Sequence, residues 1–220
     1  MSNNVALIGV GIIGTAVGTR LLETSQQLSV YNRSPAKAEA LGAKGAAVAS
    51  SAADAAKDAD FVILSLNSED IVRSAVFGEN GVAEQAKPGT LIIDMSSIDP
   101  ESTKALAQEA QSKGLRWLDC PLSGGAPKAL TGQLTVMAGG SEADFDASKA
   151  VMDLLCANYT LMGPSGAGQT TKLLNQVLCA LHFVAVAEAT QLAQDAGVDA
   201  SKIPQALNCL LYTSPSPRDS

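Results

Sequence analysis

Short unbroken apolar runs alternate along this chain with alanine-rich stretches whose apolar positions recur every three or four residues. Residues 5–8, 28–31, 61–66, 91–94 and 117–118 read as strands, with 134–137 a further one. Between them, residues 15–24, 35–41, 69–76 and 100–113 carry helical periodicity. Strands that are continuously apolar rather than alternating are buried on both faces, so the pattern predicts a parallel sheet covered by helices on either side. Right-handed crossovers then make it an α/β, Rossmann-type doubly wound sheet.

Beyond Gly168 the pattern changes. Residues 169–196 contain neither Gly nor Pro, enough for one helix of about 40 Å. Its middle is apolar on most sides, which predicts burial between domains or subunits and a homo-oligomer. A second helix is expected to begin near Ala200 as the start of an all-helical domain. The expected domains are therefore a dinucleotide-binding unit at 1–163 and an interdomain helix with the start of a helical domain at 164–208. The Pro/Ser-rich stretch 209–220 reads as a non-native, adapter-derived tail, which leaves most of the helical domain outside this chain.

Composition narrows the function. Nineteen glycines and 4% aromatic residues in 220 suit tight turns and close helix–strand packing. A net charge of −7 offers no basic field for nucleic acid, so any anion site has to be local. Cys120, Cys156, Cys179 and Cys209 follow no metal or redox spacing and read as buried thiols of a cytoplasmic protein. No metal site is expected, and the apolar stretch 177–187 is too short to predict a membrane span.

The strongest local signal is Gly9-Val10-Gly11-Ile12-Ile13-Gly14, which follows the first strand and opens the first helix. Gly9 permits the tight turn, Gly11 lets a pyrophosphate approach the backbone, and Gly14 lets helix and strand pack closely. The helix N-terminus adds N–H groups and positive potential. At the end of the second strand a carboxylate would bind the ribose hydroxyls of NAD(H). Here stand Asn32, Arg33 and Ser34, which accept a 2′-phosphate and favour NADP(H) over NAD(H). Ser34-Pro35 also reads as an ordinary helix start, and both readings can hold.

Two further segments offer chemistry. Ser123-Gly124-Gly125 after a strand can present successive N–H groups to a carboxylate, although such a tripeptide is more often a plain loop. Lys172 and Asn175 stand one helical turn apart near the start of the long helix. A lysine among small and apolar residues is a usable proton donor, yet spacing alone favours a solvated surface lysine. His182 lies too far along the helix to share a substrate atom and reads as a packing residue. Asp94 and Asp119 read as loop-organising acceptors.

The order of these segments resembles the β-hydroxyacid dehydrogenase family. Gly9 to Gly14, Asp94-Met95-Ser96-Ser97, Asp119 to Gly125, the glycine-rich stretch from Gly132 to Gly140, and Gly166 to Asn175 all take part, and the likeness runs to about residue 208. Pro127-Lys128-Ala129 and Thr171 to Gln176 look most like the tartronate semialdehyde (2-hydroxy-3-oxopropionate) reductases, with 3-hydroxyisobutyrate dehydrogenases and related semialdehyde or glyoxylate reductases as the alternative. The resemblance implies an NAD(P)-dependent oxidoreductase that reduces a small carboxylated aldehyde to the hydroxyacid. It implies Lys172 as the catalytic residue and Ser123, Gly124, Gly125 and Asn175 as substrate ligands. It also implies Leu66, Asn67 and Ser97 beside the cofactor. Ser25 departs from the family's helix-ending glycine, which costs stability if its φ is positive. The missing distal helices raise the second reading, a cofactor-binding fragment without turnover.

Overall fold

The computed structural model describes residues 3–206. The element order is β1 (Asn4–Ile8), α1 (Ile12–Glu23), β2 (Gln27–Tyr31), α2 (Pro35–Gly42), β3 (Ala47–Val48), α3 (Ala52–Ala56), β4 (Phe61–Leu64) and α4 (Glu69–Phe77). It continues with α5 (Val82–Gln85), β5 (Leu91–Asp94), α6 (Pro100–Ser112), β6 (Arg116–Asp119), β7 (Leu122–Ser123), α7 (Gly125–Leu130), β8 (Leu134–Gly139), α8 (Glu142–Met152) and β9 (Cys156–Gly163). The long helix α9 (Ala167–Asp195) follows, then a 3₁₀ turn (Ala200–Lys202) and α10 (Ile203–Ala206). The chain divides into two compact units at Leu173/Leu174, inside α9.

In the first unit the strand order β3-β2-β1-β4-β5-β6 is parallel throughout, the doubly wound arrangement expected. Successive strand residues feed opposite faces, which is why the runs are unbroken. Val5 and Leu7 join one core with Val30, Ile63 and Ile93, while Ala6 and Ile8 join another with Val62, Leu64 and Ile92. Each such Val, Leu or Ile side chain contributes about 1.5–3 kcal/mol by leaving water.

Beyond β6 the sheet is mixed: β8 runs antiparallel to β6 and to β7, and β9 is parallel to β8. After Asp119 the chain turns through β7 and α7 and comes back beside β6, meeting it at the Asp119–Gly139 pair. A Cβ on Gly139 would stand 2.5 Å from the Asp119 carboxylate, so the glycine makes this return possible. The strand expected at 61–66 also stops at Leu64, because the next residues leave the sheet. There the Leu66 N–H bonds the Ser96 hydroxyl at 3.0 Å instead of a neighbouring strand.

Ser25 has φ +61°, the left-handed conformation that its departure from glycine made costly. Residues 174–206 of the second unit contain the rest of α9, whose apolar positions are open in this chain, with Phe183 at 76% and Leu181 at 62% exposure. By length and composition alone α9 would also pass as a membrane span. The stretch 209–220 lies outside the described residues.

Candidate active site

The glycine turn is built by close approach. Gly9 has φ +98°, its N–H bonds the Tyr31 carbonyl at 2.9 Å, and a Cβ there would stand 2.3 Å from the Ser65 carbonyl oxygen. A Cβ on Gly14 would come within 2.0 Å of the Gly9 carbonyl oxygen, so α1 starts closer to β1 than any side chain permits. Gly11 is different: no atom lies within 4 Å of where its Cβ would be. Its missing side chain therefore leaves room for something outside the protein.

The start of α1 is also electrostatically open. Ser51, Ser68, Asp99 and Ser141 cap the helices they precede through their side chains. Gly11 at the start of α1 supplies no such cap, and the first turn holds no acidic residue. Unsatisfied N–H groups with positive potential face outward there, as an anion requires.

A cavity of about 730 Å³ extends from this turn, lined by Gly9, Gly11, Asn32, Arg33, Ser34, Leu66 and Asn67 among others. The Asn32 side-chain oxygen Oδ1 accepts from the Val10 N–H at 2.9 Å, and its side-chain Nδ2 donates to the Ser34 carbonyl at 3.0 Å. Ser34 is the N-cap of α2 with Pro35 behind it, yet its hydroxyl makes no capping bond. Lys37, in the first turn of α2, lines the same cavity, and its only signal in the sequence is its spacing from Arg33. Of the remaining positions expected at the cofactor, Val10 is buried, Ile12 is 83% exposed, and Ile13 packs against the core. Ser97 is exposed just past β5 and is not part of the cavity lining.

The second group forms where β7 ends. Gly124 and Gly125 have φ +114° and +64°, and a Cβ on Gly124 would stand 2.7 Å from Lys128 Cβ. The α7 helix that starts here packs against α1. Lys172 Nζ, from the first turns of α9, donates to the Ser123 hydroxyl at 3.2 Å. The structure thus brings Lys172 to the Ser-Gly-Gly turn, across 49 residues of sequence. Asn175 belongs to the second unit and is half-buried. His182, exposed in that unit, bonds the Leu178 carbonyl of its own helix at 2.8 Å.

Buried carboxyls organise the ground beneath. Asp119 accepts the N–H groups of Gly166 at 2.8 Å and Gln169 at 3.0 Å, at the start of α9. Asp94 accepts the Ser96 N–H at 2.9 Å, and its other oxygen has no partner. Burial pushes the Asp94 carboxyl up to about 7, against the pull of its Ser96 bonds and with added repulsion from Asp119. Burial raises Asp119 as well, opposed by the N–H bonds it accepts. Cys120 and Cys156 are free thiols pushed up by burial, Cys156 to about 12, and so are poor nucleophiles. Among the described residues no cluster of His, Cys, Asp or Glu could hold a metal ion.

A doubly wound sheet with an uncapped, side-chain-free helix start at its first strand defines a dinucleotide-binding protein. Residues 4–163 match the family model described as the NAD binding domain of 6-phosphogluconate dehydrogenase. Residues 166–211 match that of the NAD-binding domain of NADP-dependent 3-hydroxyisobutyrate dehydrogenase. The chain is 38% identical over 200 residues to 2-hydroxy-3-oxopropionate reductase of Escherichia coli, covering 91% of this chain and 68% of the relative. It is 36% identical over 202 residues to a probable mitochondrial 3-hydroxyisobutyrate dehydrogenase of Dictyostelium discoideum, covering 92% of this chain and 63% of that protein. Among solved structures, 3-hydroxyisobutyrate dehydrogenase of Mycobacterium tuberculosis with L-serine superposes with a TM-score of 0.89 at 29% identity, covering 99% of this chain and 77% of that one. The chain belongs to the NAD(P)-dependent β-hydroxyacid dehydrogenase family and spans about two thirds of the length of these curated relatives.

Proposed function

We propose that this protein reduces a small carboxylated semialdehyde of the 2-hydroxy-3-oxopropionate type to its hydroxyacid, with Lys172 as proton donor. The observation that carries this reading is the 3.2 Å contact between Lys172 Nζ and Ser123 Oγ, directly before two glycines with positive φ. Backbone N–H groups at Gly124 and Gly125, with the Ser123 hydroxyl, suit a substrate carboxylate. A carbonyl held beside them meets the ammonium of Lys172, which protonates the oxygen as negative charge develops on it. Asn175, one helical turn beyond Lys172, is the further substrate ligand in this reading. The bound nicotinamide supplies the hydride equivalent that the protein itself lacks.

For the cofactor, Gly9 to Gly14 hold the diphosphate, and Leu66 and Asn67 of the cavity lining, with Ser97 just outside it, stand beside the cofactor. NADP(H) is favoured because Asn32 is neutral, Arg33 and Lys37 are cationic, and the Ser34 hydroxyl has no helix-capping duty. The proposed division is a cofactor domain at 1–163 and a helical segment at 164–208. The open apolar positions of α9 support a homo-oligomer in the full-length protein.

The test is Lys172→Met. Turnover should fall by roughly 10²-fold or more, while the Kd for NADPH, read from nicotinamide fluorescence, stays within about threefold of the parent value. Parallel loss of both would remove Lys172 from the chemistry. A second reading, 3-hydroxyisobutyrate oxidation, is favoured by the Mycobacterium structure and the Dictyostelium relative. Comparing kcat/KM for the two substrates decides between them. NADPH binding without turnover of either would identify a cofactor-binding fragment.

A further inference from the structure

Gln169 is 2% exposed and stands three residues before Lys172 on α9. A buried amide has to place all its polar groups, and this one reaches the loop that follows β5. Its Nε2 donates to the Ser96 carbonyl at 2.7 Å, and its Oε1 accepts from the Ile98 N–H at 3.3 Å. Its own backbone N–H goes to the Asp119 carboxylate. Ser96 in turn accepts the Leu66 N–H through its hydroxyl, and Leu66 lines the cavity that begins at the glycine turn. A continuous chain of bonds therefore runs from the cavity wall, through Ser96 and Gln169, to the helix turn that carries Lys172.

We propose that Gln169 is a positioning residue that fixes Lys172 relative to the cofactor seat. The inference rests on the proton-donor reading of Lys172 given above. A helix is stiff over one turn, so anchoring residue 169 sets both the height and the rotation of residue 172, about 4.5 Å further along the axis. Asp119 and Gly168 hold the same turn from below: a Cβ on Gly168 would stand 2.4 Å from the Met137 carbonyl oxygen and 2.8 Å from the Asp119 carboxylate. The side-chain type is demanding. An apolar residue leaves the Ser96 carbonyl and the Ile98 N–H unpaired, a carboxylate opposes the Ser96 carbonyl, and asparagine is one methylene too short. Misplacing a reacting group by about 1 Å is enough to cost on the order of 10²-fold in rate.

The experiment compares the chain with Gln169→Met, which fills the same volume without polar atoms, and with Gln169→Glu, which keeps the acceptor for Ile98. Three quantities are read: kcat with 2-hydroxy-3-oxopropionate, KM for NADPH, and amide hydrogen exchange of residues 167–173 against that of β4 and β5. In the Met variant kcat should fall at least tenfold with KM for NADPH within about threefold, and exchange at 167–173 should rise at least tenfold while β4 and β5 keep their protection. The Glu variant should fall between the two. Unchanged kcat, KM rising in proportion to the loss of kcat, or unchanged exchange at 167–173 each overturn the proposal. If β4 and β5 lose protection in the Met variant, the Glu variant decides: a lower kcat with faster exchange at 167–173 supports the proposal, and no change in either overturns it. If the parent chain itself shows no turnover, the reduction reading fails separately, and exchange at 167–173 alone decides whether Gln169 holds the helix.

Discussion

Asp94 makes the stability of this protein depend on pH in a direction opposite to that of most carboxyls. Its ordinary value is 3.8, and in the fold burial pushes it up to about 7. Between those values the folded state binds more protons than the unfolded chain, so stability is greatest in acid and declines as pH rises towards 7. From pH 5 to pH 8 the folded pKa is crossed after about two units, which at 1.36 kcal/mol per unit is roughly 3 kcal/mol, or about 6–12 °C in Tm for a chain of this size. Asp94→Asn removes this term and keeps the acceptor for the Ser96 N–H. The added amide hydrogens fall where the second oxygen has no partner, a pH-independent cost of about 1–3 kcal/mol. The variant should therefore be the less stable protein at pH 5 and gain on the parent by about 3 kcal/mol by pH 8. Asp119, itself raised by burial, loses its like-charged neighbour in the variant, which acts in the same direction. Urea unfolding followed at both pH values checks this through the difference between variant and parent, in which groups common to both cancel. Parallel pH curves would refute the buried, proton-holding Asp94.

The glycines separate structural from ligand-binding roles. Gly11→Ala meets no protein atom, so it should cost no more than about 1 kcal/mol in unfolding while weakening NADPH at least tenfold in a fluorescence titration. Gly14→Ala brings Cβ to 2.0 Å from a carbonyl oxygen and should cost several kcal/mol, about 3 or more, by urea midpoint. Asn32→Asp keeps the acceptor for the Val10 N–H but sets a carboxylate against a 2′-phosphate, so NADPH affinity should drop at least tenfold with NADH unchanged or tighter. Ser25→Gly relieves the φ of +61° and should raise stability by about 1 kcal/mol in thermal melts.

What could be read from the sequence divides along a physical line. The strands of the parallel half are legible because both of their faces are buried, and no alternation hides them. β3, at two residues, and β9, an edge strand with alternate positions exposed, carry no such run and were invisible to periodicity. The short helices α3, α5 and α7 fall below the length at which a period can be counted. The antiparallel return of β8 depends on Gly139 facing Asp119, a pairing between residues with no local sequence signal.

The same line runs through the site. The glycine turn is legible because backbone alone builds it: Gly14 meets the Gly9 carbonyl five residues back, Gly11 faces open space, and Gly9 takes a positive φ between strand and helix. Lys172 is not, since its neighbours along the helix say only that it is a lysine near a helix start. What distinguishes it is the Ser123 hydroxyl, 49 residues away, and beneath it Gln169 bonded to Ser96 across 73 residues and to Asp119 across 50. A side chain whose role depends on meeting another strand end can be located by sequence only through likeness to a family that keeps the same order of motifs. The fold then supplies the missing reason: at the foot of α9 the loop after β5 bonds the Gln169 side chain, Asp119 at the end of β6 bonds its backbone N–H, and the segment after β4 joins through the Ser96 hydroxyl, and that convergence is what makes one lysine among fifteen basic residues a candidate for chemistry.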